Sequence, residues 1–245
     1  MARTLGWVAA GGLAGGVFFL AMAVATGGHD VRRLIEASLS LGRSCGGDDA
    51  ATTLSERRLA WTGGDTVEIA LPATVRYRAG EGDEVIVRGP SAVIAHVETK
   101  GGRIVLDCRS SARRREVEIV LPGRTFSRMS LSGSGRLLLE NLSQPTLALA
   151  ISGSGDVRAQ GKVELATVTI SGSGHARLGD LALQQLTVTV SGSGHIEAAP
   201  KDLADITISG AGNVRLLTRP AQLRSHVSGS GRITQAPLES ADGKK

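Results

Sequence analysis

From residue 128 onward, short runs that alternate apolar and polar residues are punctuated by Ser-Gly-Ser-Gly. The motif begins at Ser132, Ser152, Ser171, Ser191 and Ser228, with Ser-Gly-Ala-Gly at Ser209, so copies lie 20, 19, 20, 18 and 19 residues apart. Immediately before each copy stand Leu131, Ile151, Ile170, Val190, Ile208 and Val227. Two residues earlier stand Met129, Leu149, Val168, Val188, Ile206 and Ser225. Five residues after each start come Leu137, Val157, Ala176, Ile196, Val214 and Ile233. Polar residues such as Thr167, Thr169, Thr187 and Thr189 fill the gaps. Period-two alternation of this kind predicts strands with one buried face.

A strand cannot bury its face alone, and no two-residue hairpin turn separates these runs. A unit of ~19 residues with two short strands predicts one coil of a parallel β-solenoid, each coil pairing with the next. A β-propeller blade needs about 40 residues, twice this period. Six coils stacked at ~4.8 Å would make a rod of roughly 29 Å. An unbroken register turns the motif glycines inward at a corner: Gly133, Gly135, Gly153, Gly155, Gly172, Gly174, Gly192, Gly194, Gly210, Gly212, Gly229 and Gly231. The serines then face outward, able to bond one another or nearby backbone. A bulge within the motif would turn them inward instead, and the sequence leaves both registers open.

The first half is strand-rich but less regular. Val67-Glu68-Ile69-Ala70-Leu71-Pro72 recurs as Val117-Glu118-Ile119-Val120-Leu121-Pro122. Between them, Thr74–Arg78, Glu84–Arg88, Val93–Val97 and Arg103–Asp107 read as strands. Atypical coils that cover an open edge are expected at a solenoid end.

Residues 4–28 carry no charged side chain, and Arg3 precedes them. They read as a signal peptide, with Ala23 and Ala25 forming an A-x-A cleavage site, or as a retained membrane anchor. The expected organisation is residues 1–28 as that segment and 29–56 as a linker with a short helix capped by Asp30. The solenoid domain follows at 57–238, with an irregular cap and first coils over 57–128 and regular repeats over 129–238; a polar tail covers 239–245.

Composition narrows the class. With 41% apolar and 21% charged residues the chain is not fully disordered, and its 33 glycines lack a collagen period. The three Phe, two Trp and one Tyr end at Phe126, so the repeats must build their core from aliphatic residues. The net charge of +5 suits anionic surfaces. Nucleic acid is not an expected partner, because the repeats offer no ring to stack on a base.

Together, the opening strands Thr74–Arg78 and Glu84–Arg88, the strand Arg103–Asp107, Leu121-Pro122 and the serial Ser-Gly-Ser-Gly motifs resemble the head GIN domain family of bacterial auto-transporter adhesins. The resemblance runs from about Val67 to Ile233. It implies an all-β, right-handed parallel β-helix in the cell envelope, with no established activity. An auto-transporter also carries an outer-membrane barrel, for which the tail after Leu238 provides no expected counterpart.

The candidate chemistry is sparse. Four residues after each motif start stand Arg136, Asp156, His175, His195, Asn213 and Arg232. Stacked coils would bring Asp156, His175 and His195 within ~4.8 Å steps of one another, so they are the candidate ligands for zinc or a similar ion; an exposed polar ladder is the plainer alternative. Cys45 and Cys108 could pair in an oxidising compartment. Arg113, Arg114 and Arg115 form the densest basic run and could meet an anionic surface.

The repeated serines argue for structure rather than nucleophiles, and Asp156 and Glu197 lie on different coils. No catalytic residue and no cofactor is assigned. The expected function is that of a non-catalytic, exported envelope module for binding, adhesion or scaffolding. Its partner would be an envelope glycan or another envelope protein, with membrane attachment if the N-terminal segment is uncleaved. A self-polymerising structural β-helix is the alternative, and a polysaccharide-acting enzyme the third.

Overall fold

Alternating burial along the central repeats winds the chain into a parallel β-solenoid of about five turns. The computed structural model describes residues 53–80, 82–108 and 117–237, all within the unit Ser44–Lys245. The N-terminal hydrophobic segment, the linker helix, Cys45, Arg113, Arg114, Arg115 and the tail 239–245 lie outside the described residues, and so does the Cys45–Cys108 pairing. Among the described residues no helix is long and apolar enough to cross a membrane.

The regular part comprises β8 (Arg128–Gly133), β9 (Arg136–Gly153), β10 (Asp156–Gly172), β11 (His175–Gly192), β12 (His195–Gly210), β13 (Asn213–Leu216), β14 (Gln222–Gly229) and β15 (Arg232–Gln235). Every pairing among them is parallel. Residues just after each motif form a leading face, and residues just before the next motif form a trailing face. Corners stack in strict register, Gly153 on Gly172 on Gly192 on Gly210 on Gly229. The varying repeat length is taken up at the opposite bend, where register shifts fall between Arg158 and Gly161 and between Leu178 and Leu183. Six stacked corners thus bound five turns rather than six coils.

The unbroken register holds, with the motif serines exposed in the central turns. The two glycines of each copy have different reasons, however. Gly174 is buried, and a Cβ there would lie 2.5 Å from Ile151 Cγ2 in the core. Gly172 does not point into the interior; it has φ +118°, and a Cβ would lie 2.6 Å from the Gly153 carbonyl oxygen one turn below. The chain is locked to its neighbour there, since the Ser173 amide donates to Gly153 O at 2.8 Å and the His175 amide to Gly155 O at 2.9 Å. The ladder therefore runs unbroken around the corner. The motif serine hydroxyls make no hydrogen bond to one another among the described residues.

Below the repeats lies a cap built from β1 (Leu54–Ala60), β2 (Thr66–Ala70), β3 (Ala73–Arg78), β4 (Glu84–Pro90), β5 (Val97–Lys100), β6 (Arg103–Leu106) and β7 (Val117–Val120). β2 and β3 form the lowest rung, in register with β8 and β9. Its corner is Ala70-Leu71-Pro72-Ala73, with no glycine. The leading face continues downward through β7 and then antiparallel β4 and β1. On the trailing face β6 continues it and antiparallel β5 closes it.

The two Leu-Pro segments are not stacked copies. Val67 pairs on the trailing face and Val117 on the leading face, beside β3. The predicted strand Val93–Val97 is instead the single helical turn α1 (Ser91–Ile94) followed by a turn into β5. Pro90 ends the preceding strand, and Val93 and Ile94 bury against the core from a helical turn as readily as from a strand. Arg57 holds this turn, its Nη1 donating to the carbonyls of Ile94, Ala95 and Val97. Strand β1 also begins at Leu54, inside the expected linker.

The described aromatics gather at this end: Phe126 meets Trp61 at 5.4 Å and Tyr77 at 5.5 Å between ring centres, both edge-on. Beyond them the core is aliphatic. It ends in a last rung where two inward columns turn polar, with Ser225 stacked on Ile206 and Gln235 on Leu216, while Leu223, Val227 and Ile233 keep the other columns apolar. Val227 there is 40% exposed.

Candidate functional site

Two outward columns run up the leading face. One contains Thr74, Arg136, Asp156, His175, His195, Asn213 and Arg232; the other contains Arg76, Leu138, Arg158, Arg177, Glu197, Arg215 and Thr234. Below them β7, β4 and β1 add Glu118, Arg88, Glu56 and Arg58.

Every carboxylate in these ladders is engaged. Arg76 Nε lies 2.6 Å from Glu118, Arg78 Nη2 2.7 Å from Glu140, and Arg88 Nε 2.9 Å from Glu56. Arg58 reaches Glu84 at 3.6 Å, and Arg215 reaches Glu197 at 3.7 Å. Arg177 Nη1 donates to both Asp156 oxygens, at 2.9 and 2.7 Å. The Arg88 guanidinium hydrogen-bonded to Glu56, with Arg58 beside it, holds that carboxyl below the usual glutamate range. Arg136, Arg158 and Arg232 are left without an acidic partner among the described residues.

An open groove of about 630 Å³ lies where the cap meets the first rung, lined by Leu54, Glu56, Thr74, Arg88, Glu118 and Arg136 among others. The trailing face is different. From Ser130 to Gly192 its outward positions are Ser, Thr, Ala, Leu and Gln, with no charge until Asp205 and Arg224 on neighbouring rungs.

His175 and His195 stack as the spacing predicted, with ring centres 6.0 Å apart and planes tilted by 34°. Asp156 stacks below them, but its carboxylate turns to Arg177. Among the described residues no group of three His, Cys, Asp or Glu is placed to hold a metal ion. The arginine column lies outside the sequence-based candidates, though its signal is present there: the sixth residue after each motif start includes Arg158, Arg177 and Arg215.

The profile of the family described as putative auto-transporter adhesin, head GIN domain, matches residues 65–220. The chain belongs to this family. Among solved structures, this head GIN domain is similar to a putative adhesin from Bacteroides fragilis, at 18% identity and a TM-score of 0.60, covering 76% of this chain and 98% of that one. It is also similar to a putative lipid binding protein from Parabacteroides distasonis, at 15% identity and a TM-score of 0.52, covering 77% and 98%. At these identities the likeness is one of fold. No curated protein matches the chain.

Proposed function

We propose that this head GIN domain serves as a non-catalytic, exported module of the bacterial cell envelope, presenting its leading face for adhesion-like binding or scaffolding. The observation that carries the reading is the ion-paired ladder with its surplus arginines, repeated along a rod whose shape is set by backbone pairing. A general acid or base needs a carboxylate poised for a substrate, and each one on this face is already bound to arginine. The fold neighbours described as an adhesin and as a lipid binding protein are described as binders too. The antiparallel cap at one end, and Ser225 and Gln235 interrupting the apolar columns of the last rung at the other, speak for a discrete rod rather than a filament.

Fusing residues 1–60 to alkaline phosphatase tests the compartment. An active reporter is expected, and a silent one would remove the envelope from the reading. Light scattering on the eluting full chain tests the rod: a small discrete mass is expected, and open-ended growth with concentration would favour polymerisation.

A further inference from the structure

We propose that the leading face binds a linear acidic polysaccharide, laid along the rod from the groove beside Arg136, past Arg158, to the His175–His195 pair. This rests on the binding-module reading and names its ligand.

Charge complementarity carries the argument. On this face the acids are used up and the arginines are not, so the charged groups left without a counter-ion are arginines. Arg158 stands directly beside Arg177 in the ladder, and Asp156, two residues back on its own strand, is already held by Arg177. Like charges placed opposite one another in a sheet repel, and an anion between them relieves that repulsion. Arg136 lies diagonally from Arg158 one rung down, which in a sheet is a separation of ~7–8 Å. Guanidinium groups so placed receive carboxylates or sulfates through paired, charge-assisted hydrogen bonds. Ser55 and Thr74 in the groove offer hydroxyls to a sugar ring.

The same surface disfavours other polyanions. Trp61, Tyr77 and Phe126 pack on one another in the cap and none lies in the two ladder columns, so a nucleic-acid base finds no ring to stack on. A bilayer would favour apolar side chains among the cations. Along these columns only Leu138 is apolar, and it is half-buried; the exposed Leu54 is confined to the cap end of the groove.

The test uses the purified full chain and fluorescein-labelled polygalacturonate, read by anisotropy. Binding is expected, weakening about tenfold or more between about 0.05 M and 0.3 M salt, as exposed charge pairing requires. Arg136→Gln with Arg158→Gln should weaken it about tenfold or more at low salt while leaving the circular dichroism and melting temperature unchanged. Arg128→Gln, an arginine in the trailing-face strand β8, should change it less than about twofold.

No binding, or binding untouched by the double substitution, would overturn the proposal. Tighter binding to polyphosphate or to phosphatidylglycerol vesicles than to polygalacturonate would overturn the glycan assignment. The reporter fusion is indifferent to all of these, so ligand and compartment fail separately.

Discussion

At Gly172 two demands coincide: a left-handed backbone angle and a carbonyl 2.6 Å from where a Cβ would stand. The obstacle is backbone from the adjacent turn, which cannot swing away as a side chain could. Gly172→Val should therefore cost ~3 kcal/mol or more, combining strain with overpacking. Gly174→Ala has no left-handed angle to hold; it presses hardest on the Ile151 side chain, with the Gly155 carbonyl oxygen farther off at 3.1 Å, and should cost less, ~1–3 kcal/mol. Ser173→Ala should stay within ~0.5 kcal/mol of the parent, because its hydroxyl has no protein partner. Thermal melts of the three variants give the order, and a Ser173→Ala variant as damaging as Gly172→Val would contradict the outward serine. Acid sensitivity is set at this scale too. Glu56, Asp65 and Glu98 are held below their ordinary values by hydrogen bonds from Arg88, Ser127 and Lys100 respectively. A carboxyl depressed in the folded state contributes stability above its unfolded value, near 4.5 for glutamate, and loses it as pH falls through the folded value. Melting temperature should thus hold steady from neutral pH and drop below about pH 4, with Arg88→Gln flattening part of that drop.

The strands of the repeats were legible because one face of each is buried and the other wet, so alternation leaves no second solution. The cap was harder for a physical reason: Val93 and Ile94 can reach the core from a helical turn or a strand, and only the position of β4 and β5 decides which. The recurrence of Val-Glu-Ile-x-Leu-Pro does not name a face, since the same alternation serves either one. The site was less legible than the fold. Aligning one column showed His175 above Asp156, but which acid an arginine captures depends on diagonal reach between rungs. The last rung shows how an element is ended by side-chain choice. Replacing Ser225 with Val and Gln235 with Leu would restore the apolar columns at an exposed edge. Light scattering should then give a larger mass than the parent chain, because an open apolar sheet end templates pairing. An unchanged mass would show that these two polar residues are not what keeps the end closed.

Each turn of the molecule leans chiefly on the turns above and below, so stability should be graded along the axis. Amide hydrogen exchange is expected to be slowest in β10 and β11, which have parallel neighbours on both sides. It should be fastest in β14 and β15, each paired on one side only. Uniform protection would instead indicate a single cooperative block. The bend opposite the corners, which absorbs repeats of 18 to 20 residues while the corners keep register, has a consequence for descent. Small insertions and deletions at that bend are forgiven, and loss or duplication of a whole turn leaves both ends intact. Lineages can therefore lengthen or shorten the rod, and with it the number of cations it displays, without inventing a new beginning or a new end.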